Sequence, residues 1–349
     1  MSSLPRHRLP DHPSIAIVVP CLNEVKFVES FVRQVLAMDC DPARTTLFVV
    51  DGISTDGTRE ILFRLAAAEP RLRVLDNPHR TTARALNCAL RVAKADVIVR
   101  LDVHAEYPRH YLAHLVGLLQ RTEADNVGAL RLTAPGRTLR ENAFAALVSA
   151  PFANGGAPWR ARPQGLQEVE SVYCGCYPRR VFDALGLFDE SMIRIEDREF
   201  NARLLAAGGR ILLDPSLTCT YHPRTRLGQY LRWTFSGPFR LFYSRRLTTT
   251  RLVRPRNYVP LLFALYHLIL PLAVVYGGTA AWTPLGVYGL VAIGAAIGEA
   301  RVYRRTALVF LLVPLFYLTH LVYGLGGLWG CARALLPLPA PRPEGKFSH

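Results

Sequence analysis

The chain of 349 residues is poor in lysine. Lys26, Lys94 and Lys346 contribute little to the 42 basic residues, so the formal charge of +15 rests on arginine. Cysteine is sparse and unpatterned. The seven are Cys21, Cys40, Cys88, Cys174, Cys176, Cys219 and Cys331, with Cys174-Gly-Cys176 the one close pair. An odd count at these spacings excludes a disulfide framework and zinc-site spacing, and suits a reducing compartment for the first two thirds. Met1 to Ser14 is polar and proline-rich and lacks the apolar core of a signal peptide. The soluble part is therefore expected to stay in the cytosol. Basic runs interleaved with aromatics are missing too, so nucleic acid is not an expected partner. The arginines instead crowd the segment from Arg224 to Arg256, just before an apolar tail. That position suits contact with an anionic membrane leaflet.

What is present is unevenly spread. Up to about Tyr221 apolar residues come in short runs separated by charge. Ile15 to Val19, Thr46 to Val50, Leu72 to Leu75 and Asp96 to Leu101 have strand character. Val25 to Met38, Thr55 to Leu65 and Thr81 to Lys94 have helical spacing. Such alternation predicts an α/β domain with a mainly parallel sheet and helices on both faces. Thr133 to Gln167 reads as irregular. Beyond it come Phe182 to Leu187, a helix from Asp197 to Ala207 and a short strand, Arg210 to Leu213.

From Tyr258 three apolar runs follow: Tyr258 to Tyr276, Ala280 to Ile297 and Thr306 to Trp329. Each is near the ~20 residues that cross a bilayer. By the positive-inside bias, Arg224–Arg256 and Arg301–Arg305 lie in the cytoplasm. Three spans would place the C-terminus outside, although Pro314 and the glycines around Gly324 allow a re-entrant third run. The expected domains are a polar tail (1–13), the α/β domain (14–223), a basic amphipathic interfacial segment (224–257), a membrane domain of about three helices (258–330) and a C-terminal tail (331–349).

Acids recur at strand ends. The first strand leads into Pro20-Cys-Leu-Asn23-Glu24, and the second into Asp51-Gly-Ile-Ser-Thr-Asp-Gly-Thr58. The fourth leads into Asp102-Val-His104. Residues two apart on an extended segment point the same way, so Asp102 and His104 can address one point beyond the sheet's carboxyl edge. An oxygen and a nitrogen ligand suit Mn²⁺, with Mg²⁺ possible through the carboxylate. Glu196-Asp197 opens a later helix.

In this order the motifs resemble those of the family 2 glycosyltransferases, whose catalytic domain has the GT-A fold, a Rossmann-like nucleotide-sugar-binding architecture. Gly186-x-Phe188-Asp189-Glu190 before Glu196-Asp197 belongs to the pattern, and the resemblance covers roughly Ser14 to Trp233. Arg100-Leu-Asp-Val-His-Ala-Glu-Tyr-Pro108 and Pro151-Phe-Ala-Asn-Gly-Gly156 look most like the succinoglycan-type exopolysaccharide glucosyltransferases. The resemblance implies a GT-A domain followed by C-terminal transmembrane helices. It implies an inverting hexose transfer, from UDP-glucose to a lipid-linked saccharide, at a bacterial inner membrane with the catalytic domain cytoplasmic. Asp197 would be the base and Glu196 would position it. Pro20, Glu24, Asp51, Arg84 and Asp102 would line the donor. Asp102, His104 and His222 would hold the divalent metal. Gln229-x-x-Arg232-Trp233 would serve the acceptor and diphosphate. Other polysaccharide-assembly proteins are expected partners. A processive synthase and a non-catalytic membrane scaffold are the alternatives. His104 replaces the second acid common in the family.

Overall fold

The computed structural model describes residues 8–155, 165–223 and 225–336. Residues 1–7 of the polar tail, Gly156–Arg160 of the glycine-rich stretch, Arg224 and the tail beyond 336 lie outside them. The chain divides into two compact units. One holds residues 8–132 and 165–222, the other 133–155, 223 and 225–336.

In chain order the elements up to Tyr221 are β1 (Ile15–Cys21), α1 (Val28–Leu36), β2 (Thr45–Asp51), α2 (Thr58–Ala68), β3 (Leu72–Asp76), α3 (Thr82–Val92), β4 (Val97–Arg100), β5 (Ala105–Glu106), α4 (Tyr111–Thr122), β6 (Asn126–Thr133), α5 (Leu139–Ser149), α6 (Pro151–Asn154), β7 (Gln167–Glu168), β8 (Tyr173–Pro178), α7 (Arg179–Leu185), α8 (Glu196–Ala206) and β9 (Ile211–Tyr221). The strands form one sheet in the order β3-β2-β1-β4-β8-β6-β9-β5, with β7 beside β9. Only the β3-β2-β1-β4 half is parallel; β8 joins β4 antiparallel, and β5 and β7 join β9 antiparallel. The expected parallel sheet is thus a mixed one. The βα alternation that signals parallel pairing stops at β4.

Pro20 does not stop the first strand as its sequence suggests. The β1–β4 register ends at Val18↔Arg100, whereas β1–β2 runs on to Cys21↔Asp51. Past Val18 one side of β1 has no ladder partner, so the N–H that proline lacks is not missed. The strand read as Arg210 to Leu213 runs eleven residues to Tyr221. Its Asp-Pro-Ser interior hid it.

Thr133 to Gln167 was expected to be irregular but carries α5 and α6. Thr138 and Glu141 form a reciprocal capping box that starts α5. The helix buries Ala143, Phe144, Ala146 and Leu147 in a cluster with Leu308, Leu312 and Phe316 of the second unit.

The rest of that unit is helical: α9 (Leu227–Tyr243), α10 (Val259–Gly277), α11 (Thr283–Val302) and α12 (Leu308–Leu335). A 3₁₀ link, Gly278–Trp282, joins α10 to α11. Counted as unbroken helical stretches, two are long and apolar enough to be candidate membrane spans: the 48 residues Pro255–Val302 and the 28 residues Leu308–Leu335. Leu262, Leu268 and Leu272 on α10 and Leu290 on α11 are exposed. No break marks a re-entrant third run, since α12 passes helically through Pro314 and Gly324. The glycines are contact points instead. A Cβ on Gly324 would stand 2.0 Å from the Pro260 carbonyl oxygen, and one on Gly330 would stand 2.5 Å from that of Phe239. Small residues let helix backbones approach this closely.

Candidate active site

The carboxyl ends of β1 and β2 are tied to each other. The Asn23 N–H donates to Ser54 Oγ at 2.8 Å, and the Thr55 N–H donates to Asn23 Oδ1 at 3.0 Å. The Glu24 N–H donates to Thr58 Oγ1 at 2.8 Å, and Asp56 accepts from Thr58 Oγ at 2.6 Å. Asn23 and Ile53 have left-handed backbones, with φ of 56° and 57°. Much of both motifs therefore serves to shape two loops.

Asp51 is fully buried at the base of these loops. Its carboxylate accepts from the Ser54 N–H at 3.0 Å, from Ser54 Oγ at 2.5 Å and from Arg59 at 2.7 Å. Oδ2 takes both the Ser54 N–H and Arg59, while Oδ1 takes only Ser54 Oγ and retains acceptor capacity toward a further N–H. Pro20 lies near the end of β1. Arg84, on α3, stands 3.2 Å from Glu190, which also pairs with Arg91 at 2.9 Å. Its nearest charge is therefore a carboxylate.

Asp102 follows β4 directly. Its backbone N–H donates to Tyr107 Oη at 2.9 Å, which fixes the turn. Burial alone would raise its pKa. The charges of Arg100 and His104, with Tyr173 and Cys174 beside it, outweigh that and hold the carboxyl below its ordinary value. His104 stands 3.7 Å from Glu24 and edge-on to Tyr221, ring centres 5.4 Å apart. The β5–β9 register pairs Ala105 with Tyr221, the chain neighbours of His104 and His222. His222 itself bonds Glu106 at 2.9 Å and is exposed.

Glu196 and Asp197 form the first turn of α8, where the helix dipole favours negative charge. Arg100 joins them to Asp102. Its guanidinium lies 3.5 Å from Asp102 Oδ1 and 3.6 Å from Glu196 Oε1, and touches Asp197 Oδ1. Burial, then the neighbouring Asp197, pushes the Glu196 carboxyl up to about 7. Burial also raises Asp197, against the pull of Arg100.

The sheet edge thus gathers Glu24, Asp102, His104, Glu196 and Asp197, with His222 one residue past the end of β9. Gln229, Arg232 and Trp233 belong to α9 in the second unit. There Arg232 Nε donates back to the Gly228 carbonyl at 3.3 Å and Trp233 lies beside Tyr230. Among the described residues no three His, Cys, Asp or Glu side chains form a metal cage. An ionised Asp102 with a neighbouring imidazole still fits a cation that draws most of its ligands from phosphate oxygens and water, as Mg²⁺ does. Sequence reasoning missed Arg100. The signal was a charge in a strand otherwise buried, in phase with Asp102 and His104.

A Rossmann-like sheet with carboxylates and an arginine at its carboxyl edge places this cluster where open α/β folds bind their ligands. Residues 16–155 match the family model described as Glycosyl transferase family 2. The chain is 32% identical over 325 residues to the succinoglycan biosynthesis protein ExoA of Rhizobium meliloti (strain 1021), covering 90% of this chain and 93% of that one. The chain belongs to glycosyltransferase family 2. It is also 23% identical over 229 residues to a Methanococcus voltae dolichyl N-acetyl-α-D-glucosaminyl phosphate 3-β-D-2,3-diacetamido-2,3-dideoxy-β-D-glucuronosyltransferase, covering 64% of this chain and 71% of that one. The mannosyltransferase PcManGT from Pyrobaculum calidifontis, solved with GDP-Man and Mn²⁺, shares the fold. Its TM-score is 0.58 at 20% identity, covering 93% of this chain and 90% of that one.

Proposed function

We propose that this glycosyltransferase is membrane-anchored and inverting. It moves a hexose, glucose from UDP-glucose first among candidates, to a lipid-linked saccharide in exopolysaccharide or other cell-surface glycan synthesis. The observation that carries this reading is the single cluster of Asp102, Arg100, Glu196 and Asp197 at the sheet's carboxyl edge. The exposed apolar helices of the second unit support an inner-membrane location with the catalytic domain cytoplasmic. The ExoA relative supports exopolysaccharide assembly, alongside other assembly proteins, and the dolichyl-phosphate relative supports a lipid-linked acceptor.

Asp197 takes the proton of the acceptor hydroxyl as that oxygen attacks the anomeric carbon from the face opposite the diphosphate. The C1–O bond to the diphosphate breaks, and the sugar's configuration inverts. Glu196 holds Asp197 in place. Asp51 and Glu24 receive the nucleoside, with Pro20 at the pocket's edge. Arg84 exchanges Glu190 for a donor phosphate. Asp102, His104 and His222 would hold Mn²⁺ or Mg²⁺, which neutralises charge on the departing diphosphate. Gln229, Arg232 and Trp233 serve the acceptor and its diphosphate.

Membranes containing the protein, given Mn²⁺ and UDP-glucose, UDP-galactose, UDP-N-acetylglucosamine or GDP-mannose in turn, test the reading. One donor is expected to yield a lipid-linked product longer by one sugar. Asp197→Asn is expected to cut turnover by about 10²–10⁴-fold. Asp102→Ala is expected to abolish metal-dependent donor binding. Unimpaired transfer in both variants would refute the site. A ladder of products would mark a processive synthase instead, which the Gln229–Trp233 motif on α9 favours.

A further inference from the structure

Among the described residues Arg100 is the one cation in contact with all three carboxylates of the cluster, 3.5 Å from Asp102, 3.6 Å from Glu196 and touching Asp197. Its side chain is 12% exposed, and its Nε has no hydrogen-bond partner among the described residues. An arginine that buried on a sheet strand is uncommon without a paired charge. Here the pairing crosses two elements. Arg100 ends β4, next to Val18 of β1, whereas Glu196 and Asp197 start α8. The guanidinium therefore ties the helix that carries the base to the sheet edge that carries Asp102.

We propose that Arg100 is a positioning residue for the transfer reaction, holding the Asp197 carboxylate aimed at the acceptor hydroxyl while leaving the donor pocket to other residues. The inference rests on the functional reading above. A guanidinium stays charged and offers its donors in a rigid fork, so it can serve several carboxylates at fixed angles. An ammonium is a point charge and can sit on one of them. Loss of the fork frees Asp197 to swing among rotamers, and a base out of line with its proton loses most of its advantage.

The test compares wild type, Arg100→Lys, Asp197→Asn and the double variant, purified in detergent. Calorimetry with UDP and Mn²⁺ gives the donor-side Kd, and steady-state transfer gives kcat and KM. For Arg100→Lys the Kd for UDP is expected to stay within about threefold of wild type while kcat falls about 10²-fold. The double variant is expected to be no slower than Asp197→Asn alone, because Arg100 acts through Asp197. A merely structural role would lower the melting temperature and leave the two substitutions multiplying. Arg100→Met leaves buried Glu196 and the half-buried Asp102 and Asp197 without their cation and is expected to melt earlier. If it fails to fold, Arg100→Lys carries the test. The inference is overturned by a folded Arg100→Lys with wild-type kcat, by tenfold weaker UDP binding at unchanged kcat, or by multiplicative losses. A wild type that neither binds nor turns over any nucleotide sugar sinks the functional reading and this inference with it.

Discussion

At the scale of residues, buried Glu196 makes stability depend on pH. Glu196 carries a raised pKa in the folded protein because burial and Asp197 disfavour its charge. Between the ordinary carboxylate range and about 7, the folded state keeps a proton that the unfolded chain has released. Stability must therefore fall as pH rises through that window and level off above it. The thermal midpoint in detergent is expected to decline between about pH 5 and pH 7.5 in wild type and to flatten in Glu196→Gln. An equal slope in both would show that Glu196 is not the group responsible. The cluster was only partly legible beforehand. Asp102, His104, Glu196 and Asp197 announce themselves by strand-end and helix-start positions. Arg100 stood in the same strand, but one arginine among so many in a basic chain gives no local sign that it reaches α8, 96 residues away. Only tertiary pairing reveals that. Asp51 illustrates the converse. Its motif reads as ligand-facing, yet Ser54 and Arg59 already occupy part of its carboxylate.

At the scale of elements, α12 depends on glycine at its contacts. The Gly324 and Gly327 positions face Pro260 and Leu261 at distances no side chain tolerates, 2.0 and 2.4 Å from a would-be Cβ. Gly324→Ala should destabilise by about 1–3 kcal/mol, since overpacking forces backbones apart. Gly289→Ala on α11, with nothing within 4 Å, should cost nothing. Melting of both variants in detergent checks the contrast, and equal effects would remove the close-approach argument. Glycine in an apolar run invites reading as a break, which is why the sequence allows a re-entrant third run. Hydropathy reports how apolar a run is, not which neighbour it touches. The antiparallel half of the sheet was hidden for a related reason. The pairing of β8 with β4 joins residues some 80 positions apart, and no local pattern encodes that register.

At the scale of the whole molecule, neither compact unit is a continuous piece of chain. Residues 133–155 leave the sheet-bearing unit after β6, join the helical unit, and the chain returns for 165–222 before crossing again. The sequence reads this excursion as irregular, because α5 is apolar on all sides and shows no helical face until Phe144 and Leu147 are seen against Leu312 and Phe316. A truncation ending at residue 222 should therefore aggregate rather than yield a tractable catalytic domain, because α5 loses the partners that cover its apolar side. Size-exclusion chromatography of that truncation decides the matter; a clean monomer would contradict it. The topology also bears on synthesis. During translation α5 emerges well before the helices that bury it, so the nascent chain must carry an unfinished hydrophobic surface until α12 has been made. Folding of the helical unit is thereby finished only once the chain's last long helix has been made.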